Sequence, residues 1–334
     1  MVRPPLVMFY PLLLAGILLL AGGCDRNAGR ETVTVYCSVP EPYAAKTFAE
    51  FEKETGIHVA PLYDIESSKS IGLGAKLEAE QDHPRADVWW GNEAFLTSRL
   101  AEEDLLEHYD SPSGADIRPE FKDPRGMWAG VGLRARVIAL GQPPPAFEVK
   151  SLDDLTDPRL KGQIAIARPT AGATGAHVAA LYVVWGPERA KTFFRKLHDN
   201  GIVLLGGNAE VADQVGAGSF LAGLTDSDNI ANAQAHGGKL TFVVPDQARD
   251  GTLAMPTTVA LVKGSPHAAA ARKLIDFLLT RRTEQRLIDM GFATWSVRAG
   301  PNGIKAMNVD YRKAADVFPQ AVREATAILD GREQ

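Results

Sequence analysis

The chain has 334 residues, 45% hydrophobic and 23% charged, the composition of a soluble globular protein with length for about two domains. Lys and Arg number 36 against 41 Asp and Glu, a formal charge of -5, so there is no basic footprint for nucleic acid and that class of partner is excluded. Only two cysteines are present, Cys24 and Cys37, so a disulfide-rich scaffold is excluded as well.

Residues 1–23 read as a secretory signal peptide: Arg3 lies near the start, an apolar run extends from Leu6 to Leu20, and Ala21, Gly22 and Gly23 precede Cys24. The run is interrupted by Pro11 and is short of the roughly 20 apolar residues that a spanning helix needs. LLLAGGCDRN is similar to a bacterial lipobox, which implies lipidation of Cys24, with residues 24–30 as lipidated cysteine and polar tether. Cys37 then has no intrachain partner, and stability rests on the core.

After the tether, β-rich runs alternate with amphipathic helices, the pattern of an α/β protein with largely parallel sheets. TVTVYC (32–37) is a predicted strand, followed by a helix over PYAAKTFAEFEKETG with Gly56 as its stop. IHVAPLYD (57–64) is the next strand, then a helix over about 68–81, the strand ADVWW (86–90) and a helix from about Glu93. Neighbouring strand residues point to opposite faces, so of Trp89 and Trp90 one is expected in the core and one at a cleft rim. After the break QPPPAF (142–147) come QIAIAR, helices over about 174–185 and 187–198, IVLLG, AEVADQVGAG, FLAGLTD and LTFVVPD. TLAMPTTVALVKG and the amphipathic HAAAARKLIDFLL complete the pattern. Two α/β lobes joined by hinge strands are expected, with a cleft between them: residues 31–132 with 256–290, and residues 138–252. Residues 291–334 form a C-terminal segment packing on the lobes.

Taken in order, TVYCSVPEPY, FEKETGIHV, ADVWWGNE, GLRARVIAL, LDDLTDPRLKGQIAIA, GATGAHVAALYVVWG, GGNAEVADQVGAGSFLAGLTDSD and GTLAMPTTVALVKGSPHAAAARKLIDFLL resemble the extracellular solute-binding proteins of ABC importers, in the iron(III)-type branch. The resemblance spans residues 31–290. It implies the periplasmic-binding-protein type 2 fold, hinge closure on a small solute, delivery to permease subunits driven by a cytoplasmic ATPase, and a lipid-anchored, extracytoplasmic location.

In open α/β sheets ligands sit beyond the carboxyl ends of the strands, where helix N-termini present free amides. This places Ser38, Glu41, Asp64, Ser67, Asn92, Glu93, Thr170, Gly172, Thr174, Gly175, Asn208, Thr225, Asp226 and Asp228 at the cleft. The pair in GLTDSDNIAN, Asp226 and Asp228, is not a calcium loop, because that register puts Ile230 and Ala231 where an oxygen ligand and a glycine are required. Three roles remain for it: the metal pair of an exported metal-dependent enzyme, a strand end followed by a helix cap at Asp228, or a cleft wall.

In ferric members of the branch two adjacent tyrosines follow that strand, a histidine occupies the first loop and a glutamate follows the third strand. Here Ser227 and Asp228, Pro40, and Asn92 beside Glu93 stand in those places. An acidic ring remains, Glu41, Asp64, Glu66, Glu93, Asp226 and Asp228 against Lys69 and Arg134, suited to a hard cation. Glu93, Asp226, Asp228 and Tyr63 are its candidate metal ligands. GATGAH and GGNAE resemble the branch's anion-holding loops, with Thr174 and Asn208 as donors and Gly175 admitting a close backbone approach. No cofactor is certain. Ferric or another metal ion with a synergistic anion is the leading cargo; a phosphonate, a sugar phosphate or a polyamine are the alternatives. No nucleophile–base pair, metalloprotease motif or phosphate-binding P-loop is readable, which points away from an enzyme.

Overall fold

The computed structural model describes residues 30–64 and 71–333. The signal peptide, Cys24 and the tether up to residue 29 lie outside the described residues, as do Glu66, Ser67 and Lys69.

Four successive β-branched residues, Thr32, Val33, Thr34 and Val35, make β1 (Thr32–Cys37) a strand, and its C-terminal half is fully buried. It pairs in parallel with β2 (His58–Tyr63) on one side and β3 (Val88–Gly91) on the other. Between β1 and β2 the chain forms α1 (Glu41–Thr55), which buries Ala44, Phe48 and Phe51. It ends because Gly56 takes the left-handed conformation, φ 74°, and donates its amide to Glu52 O at 2.9 Å. Trp89 and Trp90 do face opposite sides of the sheet, but neither reaches a rim. Both are 0% exposed, because each face of the sheet is covered by its own hydrophobic cluster.

The helices after β2 and β3 are α2 (Ile71–Ala79) and α3 (Ala94–Glu102), followed by the two-residue β4 (Leu106–Glu107). β5 (Ala129–Leu140) is the long strand of GLRARVIAL. Its first half pairs antiparallel with β10 (Ala254–Val262), and its second half with β8 (Ala222–Asp226) and β9 (Thr241–Val243). β8 lies parallel to β6 (Ile164–Ala167), which lies parallel to β7 (Val203–Leu205). The strand order is β2-β1-β3-β10-β5-β8-β6-β7. The parallel pairs, β1 with β2 and β3 and β6 with β7 and β8, are joined by crossovers through helices, as parallel pairing requires. The mixed α/β architecture expected from the sequence is therefore present.

Two cores flank this path. One gathers β1, β3 and α8 (Ala268–Leu278); the other gathers β6 with α4 (Gly172–Val184) and α5 (Pro187–Asp199). After α9 (Arg281–Asp289), the C-terminal segment contains a helix that the sequence reading does not single out, α10 (Tyr311–Leu329). Ala314, Ala321, Ala325 and Ile328 bury its inner stripe in the second core. α10 packs against α4 and α5 and also reaches α3, where Tyr311 meets the Phe95 ring edge-on at 5.2 Å.

Candidate functional site

Three adjacent parallel strands, β8, β6 and β7, each end at a loop that opens directly into a helix. β6 leads through residues 168–171 into α4, β7 through Gly206 and Gly207 into α6 (Asn208–Gly216), and β8 directly into α7 (Ser227–Ala235). The first helical bond of α4 runs from Gly175 N to Ala171 O, and that of α6 from Val211 N to Gly207 O. The amides before them have no helical acceptor, and no side chain caps α4, α6 or α7. Their positive dipole ends converge on a cavity of about 60 Å³. That is room for a few water-sized groups, the scale of one oxyanion.

Opposite and beneath these helix ends lie two arginines two residues apart in β5 and so on one face of the strand. Arg136 is fully buried; its Nη1 donates to Asp226 Oδ1 at 2.7 Å and to Asn208 Oδ1 at 2.9 Å. Arg134 is 2% exposed. Its Nη2 donates to the backbone oxygen of Asn92 at 2.6 Å, and its Nη1 lies 3.3–3.4 Å from the Asp228 carboxylate and 3.7 Å from Asp226. Burial opposes the charge on Arg134, but Asp228 and Asp226 outweigh it and raise its pKa. Burial and then the Arg136 charge push the neighbouring His177 well below the usual histidine range, so it is neutral.

The predicted site residues separate into those at the cavity and those elsewhere. Asn92, Thr170, Gly172, Thr174, Asn208, Asp226 and Asp228 line it together with Arg134 and Arg168. Thr174 Oγ1 donates to Asn208 Oδ1 at 3.1 Å, and Thr225 Oγ1 lies behind the wall, donating to Asn208 O at 2.7 Å. Ser38 is buried against Asp64, 3.4 Å away, and neither lines the cavity; Glu41 is exposed at the start of α1, where Pro40 reaches the cavity in its place. Gly175 does admit a close neighbour, but that neighbour is Phe318 of α10: a Cβ on Gly175 would lie 2.8 Å from its ring.

The four metal candidates are not gathered. Glu93 caps its own helix, accepting the amides of Phe95 and Leu96, and faces α10 rather than the cavity. Tyr63 packs against the first core, where burial raises its phenol pKa. Asp226 stands at the N-cap of α7 without a side-chain cap bond and Asp228 in its first turn; both carboxylates face arginines. The helix-cap role for Asp228, one of the three left open, is not met: the N-cap position falls on Asp226. Among the described residues no group of three or more His, Cys, Asp and Glu is arranged to hold a metal ion. Arg136 and Arg168 were not singled out by the sequence reading. For Arg136 a signal was available: a charge at alternate positions inside an apolar strand is rarely buried without a partner or a function.

A cleft floored by helix N-termini and closed by loops of both halves of the strand path suits a small ligand. The profile of the bacterial extracellular solute-binding proteins matches residues 33–293. The chain belongs to that family. Its members bind solutes without chemical conversion, and this solute-binding protein is not an enzyme. An uncharacterized protein of Haemophilus influenzae is 28% identical over 329 residues, covering 90% of each chain. Iron uptake protein A1 of Synechocystis is 26% identical over 77% of this chain and 73% of its own length. Among solved structures, the periplasmic binding protein AfuA of Actinobacillus pleuropneumoniae with fructose-6-phosphate bound superposes with a TM-score of 0.79 at 24% identity, over 90% of this chain and 99% of that one. That likeness shows the fold. The family is extracytoplasmic, and its members hand their solutes to ABC permeases.

Proposed function

We propose that this solute-binding protein captures a small solute through an anionic oxygen group seated on the N-termini of α4 and α6, and that the two halves of the strand path close on it about β5 and β10. The observation that carries this reading is the convergence of uncapped first-turn amides on a cavity that also holds Arg134. A phosphate or phosphonate group fits that donor set. The sugar phosphate in the structural relative supports the same reading. Ferric ion with a synergistic anion is a second reading, favoured by the iron-uptake relative. It would need carboxylates that here are held by arginines.

The test is thermal unfolding of the mature chain with inorganic phosphate or ferric chloride added separately. Phosphate at about 100 times its dissociation constant stabilises by about 2.7 kcal/mol, raising the melting temperature. Stabilisation by ferric chloride with none by phosphate would overturn the anion reading.

We further propose that Cys24 carries a lipid and holds the protein at the membrane surface beside its permease. Cys24→Ala is then expected to move the folded protein from the membrane fraction to the soluble fraction. A variant that stays with the membrane in the absence of detergent would show that the segment before Cys24 is an uncleaved anchor.

A further inference from the structure

Beside the anion cavity lies a second one, of about 70 Å³, with a different lining. Phe95 and Leu96 of α3 and Ala315 and Phe318 of α10 make its apolar walls. The two cavities meet at the start of α4: Gly172 borders both, and the consecutive residues Asn92 and Glu93 border one each. A Cβ built on Gly172 would meet no atom within 4 Å, so open space adjoins the backbone at this boundary. The charged groups on the second wall are already engaged. Glu93 accepts the amides of Phe95 and Leu96, and Arg99 pairs with Glu78 and Glu103. Apolar cavities stay dry, and their lining lacks partners for dispersion contact, so carbon that fills one is favoured over water.

We infer that this second cavity is a subsite for a short aliphatic tail on the anionic solute, so that the cargo is a phosphonate or phosphate ester rather than a bare oxyanion. This rests on the anion reading above and adds what the anion is attached to. A cavity of about 150 Å³ takes benzene, so this one has room for about three carbons. With the head group on the N-termini of α4 and α6, the tail passes Gly172, which has no side chain to stand in its way.

The experiment is calorimetric titration of the mature wild-type chain with methyl-, ethyl-, propyl- and hexylphosphonate, and with 2-aminoethylphosphonate, which matches the propyl compound in length but ends in an ammonium group. Affinity is expected to rise about fourfold for each added CH₂ as far as propyl, and to stop rising by hexyl. The aminoethyl compound is expected to bind more weakly than propylphosphonate, because its charge would be buried among apolar walls without a free partner. Ala315→Leu puts a branched side chain into the cavity and is expected to flatten the series. Phosphonates that all bind equally would overturn the subsite and leave the anion cradle standing. Binding of none of them would remove the cradle, and the subsite with it. A gain that continues through hexyl, or one that persists in folded Ala315→Leu, would put the apolar contact outside this cavity. Tighter binding of the aminoethyl compound would show that the wall reads charge instead. The wild-type series stands without the variant, so a misfolded Ala315→Leu does not remove the test.

Discussion

Replacing Arg136 by Met is expected to destabilise the protein by about 3–5 kcal/mol, because it leaves the buried Asp226 carboxylate without its nearest cation. Met fills much of the volume, so the effect reads the lost charge and hydrogen bonds more than a cavity. Asn208 Oδ1 loses a donor at the same time. At about 2–4 °C per kcal/mol for a domain of this order of size, the melting temperature should fall by roughly 6–20 °C. Removing both partners, Arg136→Met with Asp226→Leu, is expected to recover much of the loss, since an ion pair replaced by apolar groups can be nearly neutral. Differential scanning calorimetry of wild type, single and double variants checks this. A single variant within about 1 kcal/mol of wild type would mean that the pair does not hold the floor of the cleft.

Glu93 should give the protein a pH dependence of comparable size. Burial raises its carboxyl pKa from 4.5 to about 7, against the opposing pull of the Leu96 and Phe95 amides and of Arg134 and Arg99. The folded value lies above the unfolded one. The contribution is therefore fully present below pH 4.5 and is lost as pH rises through about 7, because the unfolded chain ionises first. At about 1.4 kcal/mol per unit, the loss across that window is on the order of 3 kcal/mol. Glu93→Gln keeps the shape and cannot ionise, so its stability should exceed that of wild type at pH 8 by about that amount relative to the comparison at pH 4.5. Asp246, raised by burial to about 6, titrates in both proteins and cancels. Urea denaturation at the two pH values decides; parallel profiles would show that Glu93 ionises as easily in the fold as out of it.

The alternation of β-branched strands with helices stopped by residues such as Gly56 was legible because local preference and tertiary role agree there. The strand-end rule likewise placed Asn92, Thr174, Asn208, Asp226 and Asp228 at one cavity from sequence alone. What was not legible depends on contacts between distant segments. Nothing in GLTDSDNIAN says that both aspartates face arginines about 90 residues earlier, as the separations of 90 and 94 show. Trp89 and Trp90 followed strand alternation, but alternation is silent on whether the second face is wet or covered. Gly175 was read as room for a ligand, whereas the space is taken by Phe318 from a helix with no expected role at the cleft.

That helix, α10, constrains how a solute can enter. It lies against α4 and α5, which follow β6, and against α3, which follows β3, with Tyr311 between the Phe95 ring and the Trp128 ring, the latter at 6.0 Å. Under the closure proposed above, a helix packed against elements of both halves is expected to hold them together on its own side, so that they part on the other. The expected consequence of that arrangement is that solute enters and leaves from the side away from α10. Loosening the fastening, for instance by shaving Tyr311 to alanine, would turn a one-sided jaw into a loose clamp whose leak rate rises even though every group that touches the cargo is intact.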